Sequence, residues 1–155
     1  MKIAIISDTH GSINNVIEKI KKLNIDAIIH LGDFSEDGKD IGDITNIITY
    51  VVKGNNDYLA TTDSEELFIN LGGKDFLITH GHRYSVYRET DRLIEKAKIL
   101  GAEIALFGHT HVFFEEKIDG IWVINPGSPS YPRYGDEKSF AILDLNKMEL
   151  ERIKI

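Results

Sequence analysis

Apolar residues along this chain fall in short runs that switch between two periods. Lys2 to Ser7 is an Ile-rich run ending at Asp8, the pattern of a buried strand feeding a loop. From Ile13 the spacing becomes helical, with Ile13, Val16, Ile17, Ile20 and Leu23 on one face and Ser12 in the N-cap position. Ile25 to Leu31 returns to strand character and stops at Gly32-Asp33, which completes a βαβ unit. Ile41, Ile44, Ile47 and Ile48 predict a second, shorter helix, and Thr49 to Lys53 a third strand ending at Gly54. Residues 57–64 read as loop.

The second half is dominated by hairpins. Glu66 to Asn70 and Phe76 to Thr79 flank Gly72-Gly73, Val112 to Lys117 and Ile121 to Ile124 flank Asp119-Gly120, and Ser139 to Leu143 pairs with Leu150 to Ile155 around Asn146-Lys147. Between the first two hairpins, Leu93, Ile94, Ala97 and Leu100 predict a helix closed by Gly101, and Ile104 to Phe107 a strand before Gly108. Parallel units followed by antiparallel hairpins predict an α/β fold of two mixed β-sheets, packed face to face and flanked by helices. At 155 residues, with no repeat or linker, residues 1–155 are expected to form a single domain.

Composition narrows the chemistry. Eighteen basic residues against 25 acidic ones give a formal charge of -7, with no basic cluster, so stable binding of polymeric nucleic acid is not expected. A phosphate bound here must be drawn by something other than net charge, and bound metal ions would serve. The absence of cysteine excludes disulfides, thiolate metal sites and thiol nucleophiles. The apolar N-terminal stretch is too short for a secretory signal and no run approaches a membrane span, which makes the cytoplasm the default location.

Five segments carry metal-binding side chains, nearly all of them at the ends of predicted strands: Asp8-Thr9-His10, Gly32-Asp33, Gly54-Asn55-Asn56-Asp57, His80-Gly81-His82 and Gly108-His109-Thr110-His111. Singly, each has a plainer reading as a cap, a turn or a strand end. Together they bring carboxylate, imidazole and amide groups to strand tips, where ligands gather in open α/β sheets. A site for two divalent metals is the first reading.

These segments, in this order and joined by Asn125-Pro126-Gly127-Ser128, resemble the calcineurin-like metallophosphoesterases, and within them the small single-domain phosphodiesterases of the YfcE/MJ0936 type. The resemblance implies a four-layer α/β/β/α sandwich. It implies one metal held by Asp8, His10, Asp33 and His111, and another held by Asp33, Asn55, His80 and His109, with Asp33 bridging. A shared carboxylate would keep two dications about 3.5–4 Å apart, the spacing that suits in-line displacement by a hydroxide between them. The mixed donor set favours Mn²⁺, Ni²⁺, Fe²⁺, Co²⁺ or Zn²⁺ over Mg²⁺, and Mn²⁺ is taken first. The implied activity is that of a hydrolase, a dinuclear-metal phosphodiesterase acting on a small phosphodiester or nucleotide-like substrate. Assembly into a homo-oligomer is compatible with it.

One departure stands out. Many members of the wider superfamily carry His in the third motif, in Gly-Asn-His-Asp or Gly-Asn-His-Glu, where this chain has Asn56, which donates a hydrogen bond but no proton at neutral pH. Asn56, His82 and Asp57 form the expected catalytic set, Asp57 in the role of fixing the loop. Asn56, His82 and Arg133 are the expected substrate contacts; the plainer readings are a rim residue for His82 and a solvated surface side chain for Arg133. His30 reads equally as a satisfied core histidine or as an orienting group. Two other functions compete: a protein-interaction scaffold of the retromer-subunit type, which need not keep all seven ligands, and a nuclease, which would need added length and positive charge.

Overall fold

Every strand predicted from the apolar pattern forms in the computed structural model, which describes residues 1–155. The first half runs β1 (Lys2–Ile6), α1 (Asn14–Ile20), β2 (Ala27–His30), α2 (Ser35–Thr45) and β3 (Thr49–Val51). The second runs β4 (Glu66–Leu71), β5 (Lys74–Thr79), α3 (Asp91–Leu100), β6 (Ile104–Leu106), β7 (Phe113–Ile118), β8 (Ile121–Pro126), β9 (Ser139–Asp144) and β10 (Glu149–Lys154). No helix is long and apolar enough to cross a membrane.

Two five-stranded mixed sheets result, ordered β10-β9-β1-β2-β3 and β4-β5-β6-β8-β7. Strands β1, β2 and β3 run parallel in the first, and β5, β6 and β8 in the second, with antiparallel strands outside them. Alternation sorts the side chains into layers. Ile3, Ile5, Ile29 and Leu31 face Phe76, Ile78, Leu106 and Ile124 between the sheets. The opposite faces of the same strands meet helices: Ala4, Ile6 and Ile28 pack on Val16, Ile20 and Ile41, while Leu77, Ala105 and Val123 pack on Leu93, Ile94 and Ala97. The expected order of helix, sheet, sheet and helix is therefore present.

Helix boundaries depart from the sequence pattern in two places. Helix α1 begins after Ile13, with no side-chain cap from Ser12, and Leu23 lies beyond its end, 39% exposed. Helix α2 is longer than expected and starts earlier, leaving Ile47 and Ile48 outside it. The apolar pattern misplaced it because its buried face is made of Ser35, Gly38, Ile41 and Gly42. A Cβ on Gly38 would stand 2.6 Å from His30 Cβ, so only glycine lets this helix lie so close to the sheet. A 3₁₀ turn at His82–Tyr84, absent from the sequence reading, follows β5.

Candidate metal centre

The carboxyl ends of the parallel strands in both sheets open at the same end of the sandwich. His109 N–H donates across the sheets to Asp8 Oδ2 (3.0 Å), and His80 Nδ1–H donates to the carbonyl of Leu31 (2.8 Å). The loops meet too closely for side chains. A Cβ on Gly108 would lie 1.9 Å from Ser7 Oγ, and one on Gly54 would lie 2.2 Å from Asp33 Oδ1.

Of the seven residues expected to bind metal, Asp8, His10, Asp33 and His111 form the tightest group, their ligand atoms all within 4.8 Å of one another. Asp33 also faces the other expected set, with Oδ1 3.4 Å from His80 Nε2. The rings of His80 and His109 are in contact at 5.0 Å between centroids, and His82 packs against both, at 5.5 and 6.1 Å. Asn55 is exposed beside Gly54.

Backbone conformation aims these side chains. Asp8, His10, Asp33, His109 and His111 all adopt positive φ, between 45° and 67°. Non-glycine residues in this region cost about 1 kcal/mol each. The turn so produced folds each side chain back from its strand end towards a common point. The tautomers follow from the partners: His80 and His111 give their Nδ1 protons to the carbonyls of Leu31 and Tyr131, leaving Nε2 free as a ligand atom.

Asp8 Oδ1, His10 Nε2, His80 Nε2 and His82 Nδ1 are buried and make no hydrogen bond. Asp8 Oδ1 lies 3.1 Å from His111 Nε2, off the hydrogen-bonding axis. Buried polar atoms rarely go unpaired, and a cation among these lone pairs would satisfy them, so the donor set fits a divalent metal. Charge balance points the same way. Burial works against the Asp8 carboxylate, yet the contact with His111 and the proximity of His80 hold its pKa below the ordinary value. His111 is raised by the same contact against the effect of burial. Burial lowers His10 and His82, and burial together with His80 pushes His109 down to about 4, which keeps these imidazoles neutral at pH 7.

Several groups brace this arrangement, and for Asn125, Ser128 and Ser130 the sequence reading had assigned no such role. Ser128 Oγ and Ser130 Oγ both donate to the carbonyl of Asp8, at 2.8 and 2.9 Å. Asn125 Nδ2 donates to the carbonyl of Gly108 (2.8 Å) and to Thr110 Oγ1 (3.0 Å), pinning the loop that carries His109 and His111. Their signal was a polar run, buried at the end of a strand, with no surface to explain it. Tyr87 O–H donates to the carbonyl of His109, and its ring carries the Arg133 guanidinium at 5.3 Å, so Arg133 stands at the rim. Asn56 N–H and Nδ2 donate to the two oxygens of Asp33, at 3.0 and 2.6 Å.

Asp57, expected to fix the loop, is held by the loop backbone. Its Oδ1 accepts from the N–H groups of Phe34 and Ser35, and its Oδ2 from Gly54, all at 2.7 Å. With both oxygens engaged by backbone, the carboxylate shapes the loop.

His30 combines the two roles the sequence left open. Fully buried, it accepts from Gly32 N–H at Nδ1 (3.3 Å) and presents Nε2–H to Thr9 Oγ1 (3.1 Å), tying the Asp8 loop to the Asp33 loop. Burial lowers its pKa from 6.5 to about 4. The unfolded chain therefore binds this proton as pH falls through 6.5, while the folded protein binds it only near 4. Stability is intact above pH 6.5 and falls by about 3 kcal/mol as the pH drops to 4. Urea titrations between pH 7 and pH 4 are expected to give a steeper loss for the wild type than for His30→Gln; equal slopes would remove His30 from this account.

The chain's residues 1–148 match the model of the calcineurin-like phosphoesterase superfamily domain. It is 35% identical to the probable metallophosphoesterase YsnB of Bacillus subtilis (strain 168), over 94% of this chain and 85% of that protein. It is 33% identical to the phosphodiesterase MJ0936 of Methanocaldococcus jannaschii, over 99% of this chain and 98% of the relative. Among solved structures, a structurally and functionally characterised archaeal phosphodiesterase superposes with a TM-score of 0.83 at 28% identity, over the full length of both chains.

Proposed function

The chain belongs to the calcineurin-like phosphoesterase superfamily, and on that premise we propose that it is a cytoplasmic, metal-dependent phosphodiesterase in which residues 1–155 act as one unit. The proposed substrate is a small or exposed phosphodiester. The observation that carries this reading is the convergence of unpaired Asp8 Oδ1, His10 Nε2 and His80 Nε2 around Asp33, whose carboxylate adjoins both groups of histidines. In the proposed assignment Asp8, His10, Asp33 and His111 hold one divalent ion, and Asp33, Asn55, His80 and His109 a second.

When bound, such ions supply Lewis acidity, lowering the pKa of water and offsetting charge on phosphoryl oxygens. The chain's own residues do the rest. Tyr131 and Leu31 fix two imidazoles by their Nδ1 protons, so that Nε2 alone faces inward. Asn56 has an amide donor beside Asp33, positioned to steady a phosphoryl oxygen without delivering a proton. His82 and Arg133 are assigned to the phosphate as a neutral imidazole donor and the rim cation. The formal charge of -7 disfavours a nucleic-acid polymer as substrate.

Chelation is expected to abolish hydrolysis of an aryl phosphodiester, with Mn²⁺ or Ni²⁺ restoring it better than Mg²⁺. The same removal should lower the melting temperature by about 5–10 °C relative to protein at a hundredfold excess of metal over Kd. Full activity in a sample shown by elemental analysis to be metal-free would overturn the reading.

A further inference from the structure

A second cavity opens beside the candidate metal centre, and its walls are unlike the centre's. It encloses about 420 Å³ between Phe34 on one side and Tyr58, Leu59 and Ala60 on the other, and Asn56 also lines it. Phe34, Tyr58 and Leu59 are 43%, 81% and 97% exposed, a concentration of apolar surface that no part of the chain covers. Glu36 is the only charged group at the rim besides Asp57, whose oxygens are engaged by backbone; no Lys or Arg lines the cavity.

Two features tie this cleft to the chemistry. Asn56 belongs to both, since it lines the cleft and donates to both oxygens of Asp33. The cleft is also held open before anything binds. Phe34 sits at φ 76°, a strained backbone for an aromatic residue, and Asp57 fixes it by accepting its N–H. Because Tyr58 and Leu59 follow Asp57 directly, that one carboxylate sets the spacing of both walls. The Phe34 ring further contacts the His10 ring at 5.0 Å between centroids, so the aromatic surface is continuous with the metal-binding groups.

We propose that this cleft is a subsite for a neutral planar ring, such as a nucleobase, carried on one ester arm of the substrate. The inference rests on the phosphodiesterase reading and narrows its substrate class. A phosphorus atom near Asp33 leaves one ester arm directed past Asn56, and the ring at its end lies between Phe34 and Tyr58-Leu59. An arm bearing a second phosphate or a carboxylate finds no cation lining the cavity, where the one nearby ammonium, Lys39, is already paired with Glu36 at 2.7 Å and with Asp63 at 3.0 Å. A short alkyl arm leaves the walls in water.

The test compares two ligands with the same phosphate and sugar, adenosine 5′-monophosphate and ribose 5-phosphate, titrated calorimetrically into the Mn²⁺-loaded protein. Stacking on an aromatic wall makes the adenosine compound bind roughly 10-fold or more tightly. Phe34→Ala and Leu59→Ser should each narrow that ratio towards 1, with ribose 5-phosphate binding unchanged, and Phe34→Tyr should restore it. A wild-type ratio near 1, a ratio that survives both substitutions, or no binding of the adenosine compound at millimolar concentration would overturn the proposal. Self-association lost in Leu59→Ser, with no preference for the ring, would reassign the surface to a contact between copies of the chain. The two levels of inference separate cleanly: ring preference without hydrolysis of any diester would sink the phosphodiesterase reading alone, whereas hydrolysis without ring preference would sink the subsite alone.

Discussion

Asp33→Asn should lose at least about 10³-fold in phosphodiesterase rate, more than the change at any other proposed ligand. Substitutions behind a metal ligand cost 10- to 100-fold in affinity or rate, and Asp33 is itself a proposed ligand, adjoining both the Asp8–His10–His111 group and His80. Asparagine is the informative replacement because it accepts the left-handed backbone at this position, φ 53°. The loss would then be one of charge rather than of fold. His111→Asn, at φ 60°, is the matched control; it should reduce the rate by about 10²-fold and remove one metal equivalent. Metal content and rate no lower in Asp33→Asn than in His111→Asn would refute the assignment of Asp33 to both ions.

Gly54→Ala should be nearly as damaging, although it adds only one methyl group at a position that is not itself a proposed ligand. The new Cβ would stand 2.2 Å from Asp33 Oδ1 and 2.6 Å from Asp33 N. The second atom is backbone, so no rotamer change relieves the contact, and one of the two loops must move. Overpacking of this kind costs about 1–3 kcal/mol, and a displacement near 1 Å at a reacting centre costs about 10²-fold in rate. Gly73→Ala is the control, since a Cβ there meets nothing within 4 Å, although φ is 83° at that position. If Gly54→Ala kept wild-type rate and metal content, the close approach of these loops would have no part in shaping the site.

The strands and the segments that meet at the candidate metal centre were legible in the sequence because both follow simple local rules. Ile3, Ile5 and Ile29 alternate with the pleat, and each ligand segment follows an apolar run. Helix α2 was misplaced because it docks through Ser35, Gly38 and Gly42, whose contribution is the absence of bulk, a property no hydrophobic pattern records. Phe34 escaped notice because a lone aromatic after Gly-Asp looks like part of a turn, and its exposure depends on a carboxylate 23 positions further along the chain. Asp57 was expected to fix the loop from its company in the third motif, but its three backbone partners come from loop geometry that sequence spacing does not reveal. Ser128 and Ser130 brace the carbonyl of Asp8 across 120 and 122 positions, beyond the reach of any local reading.

That separation bears on how the chain acquires its structure. Strand β1 lies inside its sheet, between β2 and β9, and its antiparallel partner extends from Ser139 to Asp144. During synthesis, β1 can pair with β2 early but waits until Ser139 to Asp144 have been made before its other edge is covered. Its Ile-rich sequence is meanwhile an open edge of the sort that recruits foreign strands. Contacts of such long range slow the search for the native topology. A hairpin made long after β1 closes its open edge, so a ribosome stalled before Ser139 would hold a chain with α1, β2 and β3 available and β1 still unprotected, the stage at which a chaperone has most to do.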